Sequence, residues 1–170
     1  QFLHRAQNGN APPRRGRAQL GQSHAHRRGI GIVAFIDQQG PARAVAAAGP
    51  KLEEYCKPFA PLAYGVFLVT PGFKLPNLWV IHVRAASYTH HDDAPALLEQ
   101  ALQAAIQGAH QNDIRTLAMP AIGTGVFAFP PMLAAQITAK VMARADGVAP
   151  HLQCLRLCVA SEFLRDLYMG

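Results

Sequence analysis

The chain has 170 residues, half of them apolar, which suits one globular domain with one sizeable core. No apolar stretch approaches the roughly 20 residues of a membrane span and no apolar leader opens the chain, so neither a membrane partner nor a secretory signal is expected. The net charge of +6 is concentrated in residues 1–29, where Arg5, Arg14, Arg15, Arg17, Arg27 and Arg28 have no acid beside them, while the ten basic residues of 30–170 balance ten acids.

Residues 1–29 carry isolated apolar residues without a period and are expected to form a basic arm lacking regular structure. Such an arm suits contact with the phosphates of nucleic acid or of another phosphate polymer, or it is a solvated tail. The ordered domain is expected over 30–170. Ile30–Ile36 is a short β-branched run that reads as a buried strand. Asp37 to Pro41 is a loop. Ala42–Cys56 reads as helix, interrupted at Gly49-Pro50, where Pro50 opens a fresh turn with Leu52 and Tyr55 on one face. Pro58 and Pro61 end it.

Tyr64–Thr70 and Leu78–Val83 read as strands joined by a Pro71-Gly72 turn, a direct step that allows a hairpin and predicts a mixed sheet. Ser87–Asp93 is a polar loop. A helix follows from Pro95 to about Gln107, with Leu98, Leu102, Ala105 and Ile106 on one stripe. Ile114–Met119 is a strand and Pro120–Phe129 a glycine-containing loop. Pro130-Pro131 open a helix whose core face is Leu133, Ile137 and Val141. Leu155–Ala160 is the last strand, and Ser161 is an N-cap for a short helix carrying Leu164 and Leu167. Apolar strands alternating with amphipathic helices predict an α/β fold with both sheet faces covered.

Cys56, Cys154 and Cys158 make no CxxC pair, and three is an odd number; no disulfide framework or zinc site is expected, and a reducing, cytoplasmic setting fits. Cys154 and Cys158, in an apolar run, are expected to pack as small hydrophobes. The Thr89-His90-His91-Asp92-Asp93 run gathers metal-capable side chains, but adjacent residues rarely converge on one ion, so it reads as a polar loop. His82, inside an apolar strand, reads as a satisfied core histidine. Ser87 and Ser161 lack a nucleophile elbow, and no GxxxxGK[ST] motif is present. No metal or cofactor is expected.

The segment Pro120-Ala121-Ile122-Gly123-Thr124-Gly125-Val126-Phe127-Ala128-Phe129-Pro130 carries the functional signal. A strand ends, two glycines permit a sharp turn and close approach of a ligand, and a helix begins. Successive N–H groups near a helix N-terminus form a nest for an anion such as a diphosphate, although a plain strand-to-helix turn has the same pattern. Gly125 is expected to use the left-handed backbone that glycine allows.

This loop resembles the second substrate loop of macro domains, F-P-x-I-S-T-G-V-Y/F-G-Y/F-P, with Gly123 in place of Ser and Ala128 in place of Gly. Three further blocks agree in order: Ala47-Ala-Gly-Pro-Lys-Leu-Glu-Glu-Tyr-Cys56, Thr70-Pro-Gly-Phe-Lys-Leu-Pro76 and Val80-Ile-His82. The resemblance covers about 44–160. It implies a three-layer α/β/α sandwich with a mixed central sheet and an ADP-ribose cleft at the sheet's C-terminal edge. It further implies that the Gly123–Phe127 backbone cradles the diphosphate, Phe127 lies against the distal ribose and Val126 lines the cleft. Ala121, Ile122 and Thr124 on this loop, with Phe35 and Gly40 opposite, complete the expected ligand-binding set. The family's G-D-I and N-A-A-N segments are absent, the first loop shrinks to Gln39-Gly40-Pro41, and Asp37 is the one acid in that region. Asp37 is therefore the sole candidate for a catalytic base, and it also fits an ordinary loop or cap residue. Three functions stay open: a module binding ADP-ribose or ADP-ribosylated protein, an ADP-ribosyl hydrolase, and a non-catalytic nucleic-acid or poly(ADP-ribose) binder.

Overall fold

The structure is a computed structural model that describes residues 47–125 and 127–169, together with the backbone of 4–5 and 30–35. Its elements follow the expected order. Strand β2 is Ile30–Phe35, helix α1 is Pro50–Cys56, β3 is Phe67–Pro71 and β4 is Trp79–Val83. Helix α2 (Ala94–Gln111), β5 (Thr116–Pro120), α3 (Pro131–Met142), the short α4 (Ala145–Val148), β6 (Cys154–Cys158) and α5 (Glu162–Met169) complete the domain. A two-residue strand, β1 (His4–Arg5), lies within the segment expected to lack regular structure and pairs antiparallel with β3. The rest of 1–29 is outside the described residues.

The strand order is β1-β3-β4-β2-β5-β6. β3 and β4 are the expected hairpin, antiparallel with Leu68 opposite His82 and Val69 opposite Ile81. β4, β2, β5 and β6 run parallel, so the sheet is mixed. Alternation along the hairpin sends Phe67, Val69, Ile81 and Val83 to one face, where they pack with Leu98, Leu102 and Ile106 of α2 and Ile137 and Val141 of α3. Leu68 points the other way and packs with Leu52 and Cys56 of α1 and with Leu62. Helices on both faces give the three-layer α/β/α arrangement. Each fully buried large aliphatic side chain contributes about 1.5–3 kcal/mol, and the apolar stripe of α2, buried from Ala94 to Ala109, makes that helix the main clamp on the hairpin.

Several ends differ from expectation for backbone reasons. Gly65, at φ 71, turns the chain before β3, so that strand starts at Phe67 and not at Tyr64. Asp113, at φ 53, closes α2, and the Ile114 amide bonds back to the Ala109 carbonyl (2.9 Å), which delays β5 to Thr116. Gly49, at φ 84, is the expected interruption before Pro50. Ser161 does cap α5, accepting from the Leu164 amide at 3.2 Å. Cys158 corrects the sequence reading: it ends β6, which is the last strand of the sheet, and is exposed, while Cys154 is half-buried. Among the described residues no helix is long and apolar enough to cross a membrane.

Candidate ligand-binding site

The topology supplies a switch point before any side chain is considered. β2 and β5 are parallel neighbours, but the chain leaves β2 toward α1 and the β3–β4 hairpin, and leaves β5 toward α3 and β6 on the other side. Where neighbouring parallel strands send their connections in opposite directions, their carboxyl ends frame a binding crevice. Phe35 is the last residue of β2. Asp37 and Gly40 follow it and, with Val126, lie outside the described residues.

The wall that follows β5 is built as a compact turn. The Ala121 amide extends the sheet by donating to the Cys158 carbonyl (3.0 Å). Ile122 is buried and anchors the turn in the core. Gly123 adopts φ 91, and a Cβ there would stand 2.9 Å from Cδ2 of the Phe129 ring. Thr124 closes the turn by donating its hydroxyl to the Ala121 carbonyl (2.9 Å). The Phe129 amide returns to the Gly123 carbonyl (2.9 Å) and the Ala128 amide to the Gly125 carbonyl (3.0 Å). Among the described residues the amides of Ile122, Gly123, Thr124 and Gly125 meet no acceptor. Those donors lie just ahead of α3, a 12-residue helix whose N-terminal end carries partial positive charge.

Gly125 corrects the expectation of a left-handed backbone. The left-handed residues here are Gly123 and Ala128 (φ 55), whereas Gly125 is exposed and nothing stands within 4 Å of where its Cβ would be. Gly123 is required by the turn; Gly125 leaves space beside it. Ala128 occupies a left-handed position that glycine would fill at lower cost. Phe127 is half-buried and packs against the core.

A second loop, residues 84–93 after β4, adjoins the first. The Tyr88 amide donates to the Phe127 carbonyl (2.8 Å), and the Tyr88 and Phe129 rings lie 5.2 Å apart. His91 holds this loop: Nδ1 is 3.1 Å from the Ser87 carbonyl and Nε2 is 2.9 Å from the Tyr64 hydroxyl. A carbonyl only accepts, so Nδ1 carries the proton, and in the neutral ring Nε2 accepts from Tyr64. The Arg84 guanidinium sits 4.2 Å over the Tyr64 ring and donates to the Leu62 carbonyl (3.2 Å). His90 bonds to Ser87 and Thr89, each at 2.9 Å. Among the described residues no three His, Cys, Asp or Glu side chains converge. Sequence reasoning saw in 87–93 only a polar loop. Tyr64, Arg84 and Tyr88 gave no local pattern by which they could have been found, whereas Phe129 lay within the singled-out loop without a role assigned to it.

His82 lies under this edge, fully buried in β4. Thr70 donates its hydroxyl to the Pro71 carbonyl (3.1 Å) and so accepts from His82 Nε2 at 3.0 Å. Among the described residues Nδ1 has no partner, so the expectation of a satisfied histidine holds there for Nε2 alone. Burial pushes the His82 pKa down to about 4, and burial pushes the nearby Cys56 thiol up to about 11. Both groups are neutral at ordinary pH and serve packing. Two surface concavities, of about 410 and 320 Å3, are lined by other residues, at Pro58–Leu68 and between α2, α3 and α4.

An α/β/α sandwich with a mixed sheet and a glycine turn at its switch point defines a class of α/β modules, and comparison narrows the class. The model of the macro domain family matches residues 39–138. The chain is 39% identical over 97 residues to a macro domain-containing protein of Ralstonia nicotianae, covering 56% of this chain and 57% of that one. It is 34% identical over 125 residues to a macro domain-containing protein of Lactiplantibacillus plantarum, covering 72% of each. The crystal structure of the Trypanosoma brucei macrodomain in complex with ADP-ribose superposes with a TM-score of 0.72 at 20% identity, covering 83% of this chain and 62% of that one. The chain belongs to the macro domain family. It spans a little over half the length of the Ralstonia relative.

Proposed function

We propose that the chain binds ADP-ribose, free or as the ADP-ribosyl group on a protein, at the carboxyl edge of its sheet. The observation that carries this is the turn at Gly123, where four successive amides are unspent among the described residues beside the start of α3. Such donors, with the positive end of a helix behind them, suit a diphosphate. The fold shared with a relative solved with ADP-ribose supports the choice of ligand. We assign the diphosphate to the Gly123–Phe127 backbone and the distal ribose to Phe127. To the same ligand set we assign Ala121, Ile122, Thr124 and Val126, with Phe35 and Gly40 as further candidates. Calorimetric titration of ADP-ribose into wild type and Gly125→Glu tests the reading. Binding by wild type and its loss in a folded variant is the expected result; equal binding by both removes the ligand from this loop.

Hydrolysis of ADP-ribosyl groups is weak or absent in this proposal. A positioned base contributes about 10²–10⁴-fold, and the sequence offers only Asp37 for that role. Release of ADP-ribose from a modified acidic side chain, abolished by Asp37→Ala, would establish a hydrolase instead. We also propose that 1–29 is a basic arm dispensable to the domain of 30–170, although its His4–Arg5 adds a two-residue edge strand to β3. Its six arginines favour salt-dependent binding of nucleic acid or poly(ADP-ribose), and a chain starting at Gly29 is expected to lose that binding while melting cooperatively.

A further inference from the structure

The ligand turn is shaped partly from outside its own sequence. The Phe129 ring is the surface against which Gly123 turns, since a Cβ at that glycine would strike it. Phe129 is in turn covered by the Tyr88 ring, and Phe127 is tied through its carbonyl to the Tyr88 amide. Tyr88 thus grips the turn at two points, one polar and one apolar. Tyr88 itself sits in a loop without regular structure, and such a loop holds a single shape only where something fixes it.

What fixes it is a chain of side-chain contacts reaching back to the segment before β3. His91 donates from Nδ1 to the Ser87 carbonyl, one residue before Tyr88, and accepts at Nε2 from the Tyr64 hydroxyl. The Tyr64 ring meets the His91 ring edge-on at 5.7 Å and carries the Arg84 guanidinium on its face. Arg84 closes the circuit onto the Leu62 carbonyl, and Leu62 is buried. Each imidazole nitrogen of His91 therefore has one partner, one from its own loop and one 27 residues away. The contacts are part-buried, so they are less exchanged with water than the Ser87–Thr89–His90 cluster at the exposed tip.

We propose that Tyr64 and His91 are positioning residues for the ADP-ribose loop, holding Tyr88 against Phe127 and Phe129 so that Gly123 and its neighbouring amides keep their ligand-binding shape. The inference rests on the assignment of that loop to ADP-ribose. Neither residue touches the ligand in this scheme. Tyr64→Phe removes only the hydroxyl and keeps the ring beneath Arg84. His91→Ala removes both bonds, and His91→Gln restores an acceptor for Tyr64.

The test combines ADP-ribose titration, melting curves and amide hydrogen exchange on the full chain and these three variants. Loss of one such hydrogen bond is expected to weaken ADP-ribose about two- to tenfold in Tyr64→Phe. Exchange at the Tyr88 and Phe129 amides should quicken by a similar factor, while amides in α2 keep their rates. His91→Ala should do at least as much, and His91→Gln should recover part of the loss. A merely structural role would lower the melting temperature and speed exchange across the whole domain alike, which overturns the proposal. So does unchanged affinity in Tyr64→Phe when wild type binds, or weakened affinity with unchanged exchange at Tyr88. A wild type that does not bind ADP-ribose overturns the functional assignment instead. In that case the Tyr88 and Phe129 exchange rates alone judge the network: quickened rates uphold it as the device that shapes this loop, and unchanged rates overturn it.

Discussion

The loop after β5 and the loop after β4 meet at one edge of the sheet, and they are held in opposite ways. The first is ordered mainly by bonds within its own segment: a left-handed Gly123, a Thr124 hydroxyl bonded three residues back, and a Phe129 amide returned to Gly123. The second is ordered by side chains, with Tyr64, His91 and Arg84 linking parts of the chain 22 to 27 residues apart. The first turn carries its own short-range bonds, and the Tyr88 and Phe129 contacts brace it from outside. A side-chain-held loop is adjustable, because one substitution can loosen it without disturbing the sheet. In the proposed reading the first loop is the anion cradle and the second a tunable wall beside it.

The largest way to break the contrast is to put charge into the cradle. Gly125→Glu adds a carboxylate where the space is open, so it should fold with little change in melting temperature. Like-charge repulsion against a diphosphate in a partly desolvated crevice should cost about 3 kcal/mol, on the order of a hundredfold in affinity. Phe127→Ala removes packing alone and should cost about tenfold. Titrations of ADP-ribose into both variants, beside their melting curves, check the ordering.

The sheet beneath the two loops has its own acid sensitivity, which has to be separated from theirs. The folded-state pKa of His82 is about 4 against an ordinary 6.5. Between those values the unfolded chain binds more protons, so this contribution to stability is fully present above about pH 6.5 and is lost as pH falls toward 4. The loss at the lower end is on the order of 3 kcal/mol. Urea midpoints measured from pH 7.5 to 4.5 should fall accordingly, and His82→Gln, which does not titrate, should flatten the slope. An unchanged slope in that variant assigns the acid loss elsewhere.

The smallest effects sharpen the comparison within the turn itself. Gly123→Ala must accept a left-handed backbone, at about 1–2 kcal/mol, and move the Phe129 ring, so it should lower both the melting temperature and affinity. Ala128→Gly runs the other way. It relieves a left-handed alanine at the cost of glycine's chain entropy, for a net gain of about 0.5–1 kcal/mol. If Ala128→Gly destabilises, the turn is set by its side chains after all.

Element order and type were legible from apolar period and from proline and glycine punctuation, because both act over a few residues. Leu98, Leu102, Ala105 and Ile106 are buried as their spacing predicts, and the hairpin could be read from one short turn. Strand ends were less legible. The positive φ of Gly65 and Asp113 depends on where the neighbouring elements lie, and no local pattern announces it. Cys158 looked like a core residue because an apolar run does not reveal that its strand ends the sheet.

The sequence by itself determined the layered α/β class, the resemblance to macro domains and the glycine turn, since each is written in short-range spacing of residue types. It could say that two glycines lie two residues apart, but not which one bends the chain and which one leaves room. That division was decided by the Phe129 ring packing on Gly123 and by the empty space beside Gly125. The grip of Tyr64, His91 and Tyr88 on the turn was likewise a product of tertiary structure. The β3–β4 hairpin and the 84–93 loop bring distant residues to one edge, and hydrogen bonds a few ångströms long form only once the sheet has set that distance.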